Sequence, residues 1–328
     1  MKLKTYLAVG AMAVGLWGGQ AAAETLKVTT FLPPMHTFVK AVKAWGEELS
    51  QKSGGKLTLE IFPAGQLGPP PRQFDIVRSG GADIAIFLHA MTPGRFKLTE
   101  MAGLPLTFPS AGQASAVTSR RLTELAPDYL AAEHPGTRIL WMAVTPPLKI
   151  NLSKADPSDL ANIKGLRIRY AGSTWQKIVE VLGASPVPVP PAKSADAISK
   201  GVVDGATFPY EATKAFHLGP VTKYSVEPGL ASATFAVVIS EAAYNRLSPD
   251  LRKLIDDTTG PDRAEWYGKL WDASEASGRD YMKEAGVTFV TLTADQLASL
   301  KGPFKRIVDE AVSKAGDKAA DFLAAYTK

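Results

Sequence analysis

Apolar and polar positions alternate from Leu26 to Phe31, the period of a half-buried strand. Leu32-Pro33-Pro34-Met35-His36 interrupts the pattern. Phe38, Val42, Trp45 and Leu49 then recur at the spacing of one helix face. Ser53-Gly54-Gly55 stops that helix, and Leu57, Leu59 and Ile61 alternate as a second strand. Pro63 to Gly68 reads as a turn-rich loop, and the three prolines after it exclude a helix interior. Phe74, Val77 and Arg78 sit on a short helix ended by Gly80-Gly81, and Asp83 to Phe87 forms a third strand. This β-α-β-α-β rhythm predicts an open, mostly parallel sheet with right-handed crossovers. Ligands on such sheets bind at the carboxyl ends of the strands, where Phe31, Phe62 and Phe87 fall.

The rhythm returns further along. Arg138 to Val144 is strand-like, and Gly165 to Tyr170 alternates as a short strand. Trp175, Ile178, Val179 and Leu182 share one face of a helix over 174–182. Prolines keep 185–191 extended, and Ser194 to Lys200 is helical with Gly201 as its cap. Val202 to Phe208 returns to the sheet, giving a second β-α-β unit. Ala233 to Ile239 is a strand that crosses back. Ser248-Pro249-Asp250 starts a helix, a cap followed by proline at the first helical position. It continues past a break at Gly260-Pro261 through Trp266, Leu270 and Trp271. Thr293 caps a last helix after a Val287–Val290 strand. No internal repeat and no low-complexity tract is present.

The N-terminal residues set the compartment. Lys2 and Lys4 precede an apolar run of 12 residues, Tyr6 to Trp17, and Ala21-Ala22-Ala23 offers a small-residue cleavage site. That order reads as a secretory signal peptide over 1–23, so a periplasmic location is expected. A spanning helix needs about 20 apolar residues, and this run stops short. The chain has no cysteine, which removes disulfides, thiol nucleophiles, thiolate metal sites and the lipid anchor that needs a cysteine after the apolar run. Cleavage after Ala23 takes away two lysines and no acids, lowering the formal charge from +5 to +3. No run of Lys/Arg exceeds two residues, which argues against nucleic-acid binding. The slight positive balance suits an anionic small ligand. The 305 residues that remain exceed what one core usually supports, so two lobes are expected.

Hydrolase, metalloprotease, dinucleotide and phosphate-loop motifs are absent. The four histidines show no metal-ligand spacing and read individually as surface or packing residues. Asn151-Leu152-Ser153 matches a glycosylation acceptor, a pattern frequent by chance. Arg167 and Arg169 alternate on one strand and so face one side. Two readings stay open: a pair of solvated arginines, or a guanidinium fork that grips a carboxylate. The residues after Arg169 favour the second. Tyr170-Ala171-Gly172-Ser173-Thr174 is small and polar and leads into a helix whose first N–H groups suit an anion. Trp175, Phe208 and Tyr210 are either core or ligand wall, and Phe208-Pro209-Tyr210-Glu211 lies near the sheet's carboxyl edge.

Three segments then occur in order. Pro63-Ala64-Gly65-Gln66-Leu67-Gly68 resembles a loop of solute receptors from tripartite ATP-independent periplasmic (TRAP) transporters, dicarboxylate-receptor (DctP) branch. Ile163-Lys164-Gly165-Leu166-Arg167-Ile168-Arg169 is similar to that family's Lys-Gly-Leu-Lys-Ile-Arg strand, and Gly201-Val202-Val203-Asp204-Gly205 to its Gly-Val-Val-Asp-Gly signature. Each alone is common; the ordered set is specific and spans nearly the whole mature chain. The resemblance implies an α/β, two-lobe periplasmic-binding-protein fold of type II-like build. Each lobe is an open mixed sheet flanked by helices, with crossing strands and a long spanning helix. The expected division is 24–146 with about 235–275 in lobe I, and 147–234 with about 276–328 in lobe II. Function is expected to be capture of an organic acid in the interlobe cleft and delivery to the transporter's membrane permease subunits. The receptor is expected to be a monomer with no cofactor, no metal and no enzymatic activity. A periplasmic enzyme or a sensory receptor on the same fold is the alternative.

The family's carboxylate-clamping arginine maps onto Arg169. Where the family has an asparagine that reaches the ligand, this chain has Phe208, which favours an aromatic or branched monocarboxylate over a sugar acid or small dicarboxylate. Lys149 falls near a second arginine found in many relatives. The candidate ligand-binding set is therefore Arg169, Phe208, Tyr210, Trp175, Thr174, Phe31, Phe87, His89 and Lys149.

Overall fold

The computed structural model describes residues 23–328, so the signal-peptide segment lies almost wholly outside the described residues. Among the described residues, eleven strands form two sheets. The first contains β1 (Glu24–Thr30), β2 (Leu57–Phe62), β3 (Ile84–Leu88), β4 (Thr137–Val144) and β10 (Thr234–Ser240). The second contains β5 (Leu148–Leu152), β6 (Arg167–Tyr170), β7 (Ser185–Pro188), β8 (Gly205–Phe208), β9 (Tyr224–Ala231) and β11 (Thr288–Thr291). Their orders are β2-β1-β3-β10-β4 and β11-β9-β5-β8-β6-β7. β1 pairs in parallel with β2 and β3, as the β-α-β rhythm requires, while β10 runs antiparallel between β3 and β4. This is a mixed α/β protein of two lobes, each a sheet flanked by helices.

Two strand-to-strand connections link the lobes. β4 leaves the first sheet and β5 begins the second after 145–147; β9 leaves the second and β10 enters the first after 232–233. The connections lie side by side. Thr145 N–H donates to the Ala233 carbonyl at 2.9 Å, and Ala233 N–H to Thr145 Oγ1 at 2.9 Å. At Gly229 an added Cβ would stand 2.3 Å from the Pro147 carbonyl oxygen, so only glycine lets the two chains pass. β5 and β9 were not anticipated from the pattern. Both faces of β5 are buried, including Lys149 and Asn151, so its polar residues do not mark a solvent side. β9 carries Pro228 and Gly229, which read as breakers, beside the point where it leaves the sheet. Asn151 itself is buried, its Oδ1 accepting from Ser225 Oγ at 2.9 Å, which excludes it as a glycosylation acceptor in this fold.

The third link is the helix Pro261–Glu284, separated from Pro249–Asp257 at the expected break. It touches both lobes at glycines. A Cβ on Gly268 would stand 2.4 Å from Ala116 backbone, and one on Gly278 would stand 2.0 Å from the Tyr210 carbonyl oxygen. Between them, one turn of the helix supplies two carboxylates. Asp272 accepts from the N–H groups of Ser115 (2.7 Å) and Ala116 (3.0 Å), the start of the helix Ser115–Leu125. Glu275 accepts from Glu211 N–H at 2.9 Å, the start of the helix Tyr210–Ala215. Carboxylates at helix N-termini satisfy otherwise orphaned donors and the positive end of the dipole. One helix thus caps a helix in each lobe. Arg279, a turn further on, holds Glu227 of β9 through Nε at 2.8 Å and Nη2 at 3.2 Å. The last helix, Ala319–Thr327, returns to pack on Ser115–Leu125. Among the described residues no helix is long and apolar enough to cross a membrane.

Substituting Gly278 by alanine forces the spanning helix off the Tyr210 backbone. A destabilisation of about 1–3 kcal/mol, the usual cost of overpacking, is expected in urea or thermal unfolding. An unchanged midpoint would contradict the close docking.

Candidate functional site

The site begins with two arginines on one face of a four-residue strand. β6 pairs in parallel with β7 and β8, so its start lies at the lobe surface and its end inside. Arg167 is at the surface. Asp204 accepts from Arg167 N–H (2.9 Å), Nε (3.1 Å) and Nη2 (3.0 Å), and Lys154 adds a further ion pair at 2.9 Å. Arg167 holds the Asp204 carboxyl well below the usual carboxylate range. The Val-Val-Asp-Gly turn therefore anchors β6 and does not contact ligand space.

Arg169, two residues on, is buried, with 2 % of its surface exposed. Its Nε donates to the Val189 carbonyl at 3.0 Å and its Nη1 to the Thr207 carbonyl at 3.1 Å. Its Cζ lies 4.2 Å from the Phe208 ring centroid. None of the ion pairs among the described residues involves it. Burial lowers its pKa to about 9, which still leaves it charged at neutral pH.

Arg169 lines a narrow cavity between the two sheets, about 50 Å³ in volume and partly open to solvent. Phe31, Leu88 and Phe235 come from the first lobe; Leu148, Thr207, Phe208 and Phe216 come from the second. Phe31 and Phe235 stack at 6.3 Å, and Phe235 is backed by Phe38 (5.7 Å) and Trp271 (5.6 Å). Phe208 packs on Phe216 at 5.5 Å. The walls are thus mostly apolar, with four phenyl rings backed by other rings and a small number of polar groups, the usual build of a small-molecule site. Two of those polar groups lack a hydrogen-bond partner: Thr207 Oγ1 and Glu211 Oε2. The mouth is tight. A Cβ on Gly172, at φ +83°, would meet Ala90 Cβ of the other lobe at 2.5 Å.

Of the nine residues anticipated from sequence, Arg169, Phe208 and Phe31 meet in this cavity, and six lie elsewhere. On β3, Ile86 and Leu88 face the cavity side, so the pleat turns Phe87 to the opposite core with Phe74 (5.2 Å) and Phe96 (5.4 Å). His89 is buried there too, its Nδ1 2.8 Å from the Thr234 carbonyl and its Nε2 3.0 Å from His134 Nε2. On β5, Leu148 lines the cavity and Lys149 points away, paired with Glu275 and lying 4.6 Å over the Tyr210 ring. Lys149 therefore does not stand in for a second clamping arginine. Tyr210 turns its hydroxyl to Ser225 Oγ (2.9 Å) and Glu227 Oε1 (3.1 Å). Trp175 is core with Ile178 and Val179. Thr174 borders a separate surface hollow with Lys177 and Lys314. The helix start after Arg169 does not serve the cavity; carbonyls of Val189 and Thr207 position the guanidinium instead.

Sequence reasoning missed His36 and Glu211. His36 caps the helix Thr37–Ser53, its Nδ1 accepting from Phe38 N–H at 3.1 Å, and its Nε2 faces Glu211 Oε1 at 3.6 Å. Burial lowers the His36 pKa to about 3, so the ring is neutral. Burial raises Glu211 to about 8; Trp271 opposes the rise and the Glu275 charge adds to it. The available signal was positional: Glu211 is the next residue after Tyr210, so if one faces away the other faces in.

The family model described as bacterial extracellular solute-binding protein, family 7, matches residues 28–315. The chain belongs to this family. Its members include TRAP solute receptors, and the structures agree. A TRAP solute-binding protein from Rhodoferax ferrireducens, with copurified benzoate, superposes with TM-score 0.87 at 29 % identity, covering 93 % of this chain and 96 % of that one. One from Bordetella bronchiseptica, with bound (R)- and (S)-mandelate, gives 0.85 at 29 %, covering 92 % and 97 %. The 2,3-diketo-L-gulonate-binding periplasmic protein of Escherichia coli is 25 % identical over 76 % of each chain.

The raised Glu211 pKa carries a stability consequence for the ligand-free receptor. A carboxyl ionises near 4.3 in the unfolded chain and near 8 here, so folding is progressively disfavoured as pH rises across that window. Glu211→Gln removes this dependence. The difference in thermal midpoint, variant minus wild type, should therefore grow from pH 5 to pH 8; a constant difference would show that Glu211 is not held neutral.

Proposed function

We propose that this receptor binds an aromatic monocarboxylate in the interlobe cavity, with Arg169 gripping the carboxylate, and passes it to the membrane subunits of a TRAP transporter. The observation that carries the reading is the buried Arg169 guanidinium, which meets only carbonyl oxygens and a ring face inside the protein. A ligand carboxylate supplies the missing anion. Phe31, Phe208, Phe216 and Phe235 offer ring surfaces to a ring. Benzoate and mandelate, bound by two similar receptors, have this form.

For the lobes we take 24–146 with about 235–275 as lobe I and 147–234 with about 276–328 as lobe II, the last helix lying back on lobe I. Closure about the 145–147 and 232–233 crossings buries the ion pair, a hinge motion common to such receptors. Periplasmic location accords with the family and the N-terminal pattern. The receptor acts as a monomer and as a carrier, without turnover of the acid.

Isothermal calorimetry with benzoate tests the clamp. Arg169→Ala should weaken binding by about 2–5 kcal/mol, the range for removing one partner of a buried charge pair. Unchanged affinity would remove Arg169 from the site. In a thermal-shift comparison, benzoate and mandelate should raise the wild-type midpoint and succinate should not; stabilisation by succinate alone would overturn the aromatic assignment.

A further inference from the structure

The cavity has a second polar end. From Arg169 the contacts run through Phe208 (4.2 Å) to Phe216 (5.5 Å), then to His36 (6.1 Å) and Glu211 (3.6 Å). Phe208 and Phe216 thus lie between the guanidinium and the His36–Glu211 pair in this series of contacts, and all five residues line the same cavity. Both members are buried, with 2 % and 6 % of their surface exposed.

The hydrogen-bond arithmetic at this end does not close within the protein. Phe38 N–H donates to His36 Nδ1, so the ring hydrogen must sit on Nε2. At 3.6 Å that Nε2–H is too far from Glu211 Oε1 for a hydrogen bond. Glu211 Oε2 makes no well-formed hydrogen bond, the indole N–H of Trp271 being near enough to act on the carboxyl but itself unpartnered, and Glu211 N–H is held by Glu275. A buried donor and a buried carboxyl thus face each other across a gap that a single oxygen can bridge. Unmade buried hydrogen bonds are costly, which is why such gaps mark places a ligand completes.

We propose that His36 and Glu211 form a subsite at the end of the cavity away from Arg169, which selects aromatic acids carrying a hydroxyl group on the ring. The hydroxyl oxygen accepts from His36 Nε2–H, and its hydrogen goes to a Glu211 oxygen. A second carboxylate does not suit this end: Glu275 is close enough to act on Glu211, and Lys149 on that side is already paired with Glu275. Burying an unpaired charge there is costly. The subsite rests on the aromatic-acid reading above and refines it from ring to ring substituent.

The test is calorimetry on the purified receptor with benzoate, 3-hydroxybenzoate and 4-hydroxybenzoate. The better hydroxybenzoate should bind wild type about three- to tenfold tighter than benzoate, the value of one net hydrogen bond. Glu211→Leu should bring that ratio to about one. His36→Asn, which keeps an acceptable helix cap but loses the reach to Glu211, should do the same. A wild-type ratio of one overturns the subsite while leaving the Arg169 clamp standing. So does a ratio that persists in Glu211→Leu or, should that variant not melt cooperatively, in His36→Asn. If wild type binds none of the three acids, the aromatic-acid reading fails, and the subsite with it.

Discussion

A guanidinium taken out of water with no carboxylate beside it is the constraint around which this receptor is organised. Arg169 keeps its charge because burial lowers its pKa only to about 9. Two carbonyls and the face of Phe208 repay part of the lost hydration, and they do so from fixed backbone positions. β7 and β8 flank β6 on either side, so the fork cannot swing to find solvent. The protein therefore carries an anion-binding deficit that it cannot relieve internally. Arg167 is the contrast. It lies on the same strand face, two residues earlier, and is fully answered by Asp204. The depth of a position along one short strand decides whether an arginine is structural or free to bind.

The spanning helix is what gives that deficit a closed room. Asp272 and Glu275, three residues apart, cap helices of different lobes, and Gly268 and Gly278 let the helix approach both backbones. Glu275 does more than tie. It holds the N–H of Glu211 while its charge pushes the Glu211 side chain toward the neutral form. The same turn of helix that fixes the lobes thus adds to the effect of burial, which is the main cause of the raised Glu211 pKa. Lys149 belongs to this network through its pairing with Glu275 and its position over Tyr210.

Elements with a clean period were legible in the sequence: β1, β2, β3, β4, β6 and β10, and the helices capped by Ser248 and Thr293, the last with a reciprocal capping box. β5 and β9 were not, because they sit where the chain changes sheets. There polar residues are buried and prolines are tolerated, so local pattern and tertiary role diverge. The candidate site was legible in the same partial way. Arg169 stood out by chemistry and motif, and Phe31 and Phe208 by position. Phe87, Lys149 and Tyr210 failed by one residue, since a pleat sends neighbours to opposite sides and a helix turns each residue by about 100° from the last. Composition along the chain does not record that phase when both sides are buried.

The substitution of phenylalanine at 208 gains meaning from this geometry. In the family resemblance an asparagine reaches the ligand from this position. Here Phe208 instead lies against the Arg169 fork on one side and Phe216 on the other. A polar side chain would have competed for the guanidinium or added a donor along the wall. A ring does neither, and its face favours the cation without neutralising it. One residue thereby converts the middle of the cavity from a hydrogen-bonding surface into an apolar slot and leaves polarity only at its ends. Selection among organic acids then depends on how far apart those ends are and what fills the space between them.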